Sequence, residues 1–420
     1  MTTRLRRPPR ARSPRIGLAL AGGGPLGGIY EVGALLALAD SVTGLDLCAL
    51  DVYVGVSSGG FVAAGLANGM SPSQMYRLFI AEGRDAAMSP SLFMRPALGE
   101  FMRRASALPG LALQASVRYL RHPRSHGVGE SLALLLRAIP TGLFDAGAID
   151  RFLRELFAAP GRTNDFRTLG RPLFLVATKL DTGESTVFGA PGHDHVPISR
   201  AIEASSALPG LFPPVEIDGQ HYVDGALNKT LHASLALQAG ADLLLCVNPL
   251  VPFDAPRAQR QRGETLQRLD QGGLPLVLAQ TFRAIIRSRM EAGMASYARH
   301  YPDADVLLFE PAREDGDMFF ANIFSYAQRE RLCALAFATT RSDLRRRAGT
   351  LREVLGRHGL ALDDARLAND RRTVADALCD PRPLRALQRR RRSVTQTTRE
   401  LTHALDHLER HLARLRRAPA

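Results

Sequence analysis

At 420 residues the chain is long enough to bury a large core, in one big α/β domain or two smaller ones. Its net charge of +13 sits at the ends: residues 1–15 hold six arginines and no acids, residues 381–420 hold eleven arginines against three acids, and the body between is close to neutral. That distribution argues against a nucleic-acid groove in the core, and no apolar run approaches the roughly 20 residues of a membrane-spanning helix.

Only two lysines, Lys179 and Lys229, accompany the many arginines, a bias that codon usage alone produces. The cysteines, Cys48, Cys246, Cys333 and Cys379, have no metal-ligand spacing, and two lie in apolar strand-like runs, which predicts reduced buried thiols and a cytoplasmic protein. Residues 1–14 read as a disordered arm rich in arginine and proline. The apolar run after it, Ile16 to Ala21, is too short for a signal-peptide core.

Arg15 to Leu20 predicts a first buried strand, followed by the glycine loop Ala21-Gly22-Gly23-Gly24-Pro25-Leu26-Gly27-Gly28 and a helix through Tyr30, Val32, Leu35, Leu36 and Leu38. Gly22-x-Gly24-x-x-Gly27 between strand and helix matches a dinucleotide fingerprint, which requires an acid at the end of the second strand. That strand, Asp51 to Val54, delivers Gly55 and Ser57 there instead, while Asp46 and Asp51 stand before it or at its start. The loop therefore reads as an oxyanion hole, in which amides of Gly22, Gly23, Gly24 and Gly27 at a helix N-terminus lie beside a serine from the adjacent parallel strand.

Gly55-Val56-Ser57-Ser58-Gly59-Gly60, between the strand and an apolar helix from Phe61 to Ala67, is a nucleophile elbow. Gly55 and Gly59 flank Ser57 as the sharp turn requires. Ser58 would need a glycine where Val56 stands, which leaves it a supporting role. Residues 71–145 read as a mostly helical insertion, basic and apolar between Ser91 and Gly129, with Glu100 as its one acid against six arginines. Either a lid or interfacial surface or a helical subdomain packed on the sheet fits that pattern. Ala148 to Ala159 is an amphipathic core helix, Pro172 to Thr178 a buried strand, and Lys179 to Phe188 a hairpin that extends it.

His193 and His195 lie in a Gly/Pro loop with no third metal ligand nearby, so no metal is expected there. A short helix, Ser199 to Ala207, precedes strands Val215 to Ile217 and Gln220 to Val223. The second ends in Asp224-Gly225-Ala226 before an expected helix from Asn228 to Gln238. An aspartate at such a strand end either faces a serine on a neighbouring strand or caps the turn.

Taken together, Gly22-Gly23-Gly24-Pro25-Leu26-Gly27, Gly55-Val56-Ser57-Ser58-Gly59, the run from Ala204-Ser205-Ser206-Ala207 to Pro214, and Val223-Asp224-Gly225-Ala226 resemble the patatin-like phospholipases, in that family's order. The resemblance runs from Ile16 to about Val247. It implies a three-layer α/β/α fold with a mainly parallel central sheet, hydrolysis of lipid acyl esters without a cofactor, and a serine–aspartate dyad. Ser57 is the implied nucleophile, Asp224 the general base, and the glycine-loop amides the oxyanion hole. Leu26 stands where the family usually has arginine or lysine, and Ala226 replaces the second glycine after the aspartate.

A histidine triad is the rival arrangement, but after Asp224 the histidines are His232 within the expected helix, His300, His358 and three near the C-terminus, none on a loop just after a strand. Past Val247 the chain reads as helices at Leu274 to Met290 and Arg331 to Leu355 flanking a strand near Val306, then a linker from Leu360 to Pro383. Leu401, Leu405, Leu408, Leu412 and Leu415 keep heptad spacing over about two heptads, a short basis for pairing chains into a homo-oligomer. The expected organisation is an arm (1–14), an acyl hydrolase domain (15–345) and a basic helical extension (346–420). The expected partners are a lipid or acyl-ester substrate and an anionic inner membrane surface met peripherally, with no nucleic acid. The competing class is a regulatory protein built on the same scaffold without catalysis.

Overall fold

The computed structural model describes residues 13–81, 95–121, 138–262, 269–316 and 328–379. The arm up to residue 12 and the C-terminal heptads lie outside the described residues. In chain order the strands are β1 (Ile16–Leu20), β2 (Val42–Thr43), β3 (Val52–Val56), β4 (Leu173–Lys179), β5 (Ser185–Phe188), β6 (Val215–Ile217), β7 (Gln220–Asp224), β8 (Leu243–Val247), β9 (Asp305–Phe309) and β10 (Ala361–Leu362). The α-helices are α1 (Gly24–Ser41), α2 (Ser58–Ala67), α3 (Pro72–Met75), α4 (Leu98–Arg121), α5 (Gly147–Phe157), α6 (Ile198–Ser205), α7 (Ala233–Gln238), α8 (Ala255–Arg262), α9 (Gly273–His300), α10 (Arg329–Arg346), α11 (Ala348–Arg357), α12 (Asp364–Ala368) and α13 (Val374–Cys379).

Strands β4, β3, β1, β8 and β9 lie side by side and parallel. β3 and β8 are buried along their whole length, which explains why they read as unbroken apolar runs. Ala19, Val52, Val54, Leu244 and Cys246 face α7 and Tyr297 of α9 on one side. On the other side α2 lies against β3 and β1, α6 against β4, and α1 is sandwiched between α2 and α10. The result is the expected α/β/α sandwich, with a mixed sheet of mainly parallel strands.

The antiparallel strands explain where the chemistry is placed. β5 pairs with β4 from Leu175 to Thr178, and β3 pairs with β4 from Leu173 to Val176. β7 pairs with β4 at Ala177 to Lys179 and so takes the edge that β3 leaves. Val56 is opposite Val176 and Asp224 opposite Ala177, so β3 and β7 meet C-terminus to C-terminus along one edge of β4. Both strand ends open at a single point.

Two sequence expectations need correction. The helix expected from Asn228 begins only at Ala233, after a 3-10 turn at Gly225–Leu227, because the chain between them stays open enough for the Thr230 carbonyl to accept the Gly22 amide at 3.4 Å. The expected linker from Leu360 is folded through to Cys379: β10 pairs with β2, and Leu360, Leu362, Leu367 and Val374 are buried. Its anchor is Asp40 in the last turns of α1, a poor place for an acid because the helix dipole there is negative. Arg341, Arg366 and Arg372 all pair with it, at 3.1, 3.0 and 2.6 Å. Burial pushes the Asp40 carboxyl upward, but Arg372 and Arg366 outweigh it and hold the group below its ordinary value. Among the described residues one compact unit runs through Ala377.

In the insertion, α4 presents exposed Leu98, Met102 and Leu113. Glu100, nearly buried, pairs with Arg103 and Arg104 and accepts the Thr141 amide at 3.3 Å, which ties the helix to the chain that re-enters the sheet. Desolvation raises its pKa, but these donors bring it down to about 2. Among the described residues no helix is long and apolar enough to cross a membrane.

Candidate active site

Ser57 follows the last residue of β3 and caps the N-terminus of α2, with φ 52° and ψ −125°. A non-glycine residue at positive φ is strained by about 1–3 kcal/mol and persists only where its surroundings hold it. The two glycines make room for the bend. A Cβ on Gly55 would lie 2.5 Å from Gly60 Cα, and one on Gly59 2.6 Å from the Leu20 and Ala21 carbonyl oxygens, so strand and helix pass at backbone distance. Ser57 is only 5% exposed.

Asp224 ends β7 and is 3% exposed. Its Oδ1 accepts the Ala226 amide at 2.8 Å, so it does cap the turn, and the Ser57 side chain lies close enough to favour its ionised form. Of the two roles left open by the sequence, the turn cap is filled, and the strand end also lies beside that of β3. Burial raises the Asp224 pKa to about 6, against the lowering effects of the Ala226 amide and the nearby Ser57 side chain. Arg289 of α9 donates to the Leu227 and Asn228 carbonyls at 2.9 and 3.1 Å, which fixes the turn from behind.

The glycine loop backs onto the serine. A Cβ on Gly22 would lie 3.0 Å from Ser57 Cβ and 3.1 Å from Ala226 Cβ. The four loop glycines have different duties: the Gly27 amide donates to the Gly23 carbonyl at 3.0 Å and the Gly22 amide to Thr230, whereas no backbone acceptor is recorded for Gly23 or Gly24 among the described residues. Gly24 has φ +63° and open space where a side chain would point. Asp51 accepts the Ile16 amide at 2.9 Å, at the opposite end of the strands from this loop.

Several contributors escaped the sequence reading. Pro249, just past β8, packs where Cβ atoms of Gly23 and Gly27 would stand, 2.6 and 3.1 Å away. Asn248 forms the turn around it by bonding both backbone groups of Leu250, and donates to Glu310 at 2.8 Å, which Arg287 also holds at 2.7 Å. Ser205 accepts the Ser57 amide. Its only sequence signal was membership of the Ala204 to Pro214 motif.

None of the described histidines is recorded as a partner of Ser57. His232 caps α7 and does not lie inside a helix; burial lowers its pKa to about 4. His358 pairs with Asp305 at the start of β9, the far end of the sheet. His195 pairs with Asp218, and the His193 ring lies edge-on to Phe188. No group of three His, Cys, Asp or Glu side chains among the described residues is placed to hold a metal ion.

Residues 18–237, slightly more than half of the chain, match the family model described as patatin-like phospholipase. The chain belongs to that family. Patatin-like phospholipases are lipid ester hydrolases, and the match spans the glycine loop, the elbow and Asp224. Among solved structures, VipD from Legionella pneumophila shares 16% identity, with 77% of this chain and 67% of that one covered at a TM-score of 0.32. The type III effector ExoU, from Pseudomonas aeruginosa, shares 20% identity over 80% of this chain and 53% of that chain, at 0.33. Human GIVD cytosolic phospholipase A2, in complex with a methyl γ-linolenyl fluorophosphonate inhibitor, shares 17% over 81% and 60%, at 0.32. The chain spans about half to two thirds of the length of these proteins.

Proposed function

We propose that this patatin-like protein is a serine-dependent lipid acyl hydrolase, of phospholipase A, lysophospholipase or carboxylester lipase type, in which Ser57 and Asp224 act as a dyad. The observation that supports the reading is the meeting of β3 and β7 end to end on β4, which brings Ser57 and the buried Asp224 carboxylate to one point. A carboxylate whose pKa is lifted toward neutrality is a stronger base, and still ionised above pH 6. Asp224 takes the Ser57 proton as Oγ attacks the ester carbonyl. The tetrahedral oxyanion then rests on the Gly23 and Gly24 amides, helped by the positive end of α2. Collapse of that intermediate returns the proton from Asp224 to the departing alcohol, and water, deprotonated by the same carboxylate, releases the fatty acid.

The test is lipid mass spectrometry on a mixed lipid extract incubated with the wild-type protein and with Ser57→Ala. Fatty acid and deacylated lipid are expected to accumulate only with the wild type. Asp224→Ala and Asp224→Asn are expected to be equally inert, and more than a few per cent residual turnover in any of these variants would refute the dyad.

A further inference from the structure

In a parallel pair the amide of every second residue on one strand donates to the partner strand. Along β3 this series begins with Tyr53, whose amide donates to the Pro172 carbonyl at 3.0 Å. Gly55 is the next donor in register and Ser57 the one after, whose acceptor would be the Val176 carbonyl. That last rung is not made directly. The Ser57 amide donates instead to Ser205 Oγ at 2.8 Å, and Ser205 Oγ donates to the Val176 carbonyl at 2.6 Å.

We propose that Ser205 is a positioning residue for the nucleophile: its hydroxyl is inserted into the final rung between β3 and β4 and holds Ser57 away from the sheet in its bent conformation. The proposal rests on the reading of Ser57 as nucleophile. Direct closure of the rung would draw the Ser57 amide onto Val176 and its backbone back toward the extended geometry of a strand. An inserted hydroxyl keeps amide and carbonyl apart while satisfying both, and buried backbone groups require such partners. Ser205 is fully buried at the end of α6, so the hydroxyl has no solvent to compete with it.

The same segment holds the other half of the dyad. Two residues on, the Ala207 carbonyl accepts the Asp224 amide at 3.0 Å. The end of α6 therefore sets both reacting groups against β4, and a shift of Ser205 changes their separation. This gives the Ala204 to Ala207 stretch a physical task, though neither Ser205 nor Ala207 touches the reacting atoms.

The test is Ser205→Ala, with Ser206→Ala as control, assayed for hydrolysis of a soluble short-chain ester and for the rate of labelling by an alkyl fluorophosphonate. Losing the hydroxyl is expected to lower kcat and the labelling rate together by about 10- to 100-fold, as misplacement of a reacting group by about 1 Å does. KM and the labelling endpoint of one adduct per chain are expected to remain, and Ser206→Ala to behave as wild type. Wild-type kcat in Ser205→Ala would overturn the proposal. So would a lowered endpoint in which the remaining molecules react at the wild-type rate, since that is the mark of a merely structural serine. Peptide mapping of the wild-type adduct separates the two questions: a label absent from Ser57 would sink the dyad itself, not the role of Ser205.

Discussion

Asp224 carries a conflict between stability and chemistry within a single residue. Its folded pKa of about 6 lies above its ordinary 3.8, so the folded chain binds this proton more tightly than the unfolded chain. The contribution to stability is complete below pH 3.8 and is lost as pH rises through 6, leaving the folded state about 3 kcal/mol less favourable at pH 8 than with a neutral group there. In its proposed role as base, by contrast, it works only when ionised. The kcat/KM profile is therefore expected to rise with an acid-limb midpoint near pH 6 while the protein stays folded through that range. Asp224→Asn is expected to stabilise the fold at pH 8 by about 1–3 kcal/mol while abolishing turnover. Urea unfolding at pH 8 checks this, and a variant less stable than wild type would contradict it. Gly24 gives the second residue-scale prediction: valine at φ +63° forces the loop backbone to move. Turnover should fall by about 10²-fold, as on loss of an oxyanion donor.

At the scale of elements, the decisive feature is that helices and loops behind the site have fixed anchors. Asp40 gathers three arginines from α10 and from the segment that follows β10, and thereby closes the C-terminal part of the body onto α1. Removing one partner of a buried ionic cluster leaves uncompensated charge and typically costs about 3–5 kcal/mol. Asp40→Ala is expected to lower the urea midpoint accordingly and to make the chain after Leu360 sensitive to limited proteolysis. Unchanged protection would mean that the apolar contacts of Leu362 and Leu367 hold this segment without the charges.

For the whole molecule, the charge map and the exposed apolar residues lead to the proposal that the enzyme meets its lipid at an anionic surface. All the net positive charge resides in the terminal segments, each arginine near an anionic leaflet contributes about 1 kcal/mol of attraction, and Leu98, Met102 and Leu113 of α4 and Leu274 and Phe282 of α9 are exposed. Sedimentation with vesicles containing phosphatidylserine is expected to fall steeply with added salt and to weaken on deletion of residues 384–420. Light scattering on the same truncation tests the heptads, since an unchanged number of chains per particle would exclude pairing through them.

The sequence by itself determined the strand, turn and helix around Ser57, the glycine loop, and the buried runs of β1, β3, β4 and β8. Each is written in local pattern: glycines where backbones approach, unbroken apolar residues where a strand is buried on both faces. It also marked Asp224 as a carboxylate at a strand end. Only the tertiary structure decided that this strand end abuts β3, because the meeting depends on β7 taking the edge of β4 that β3 vacates, a register no local pattern encodes. The same limit hid Asp40, Pro249 and Ser205. Their partners lie 301, 226 and 148 positions away along the chain, and one hydroxyl inserted in a backbone ladder leaves no periodicity to read.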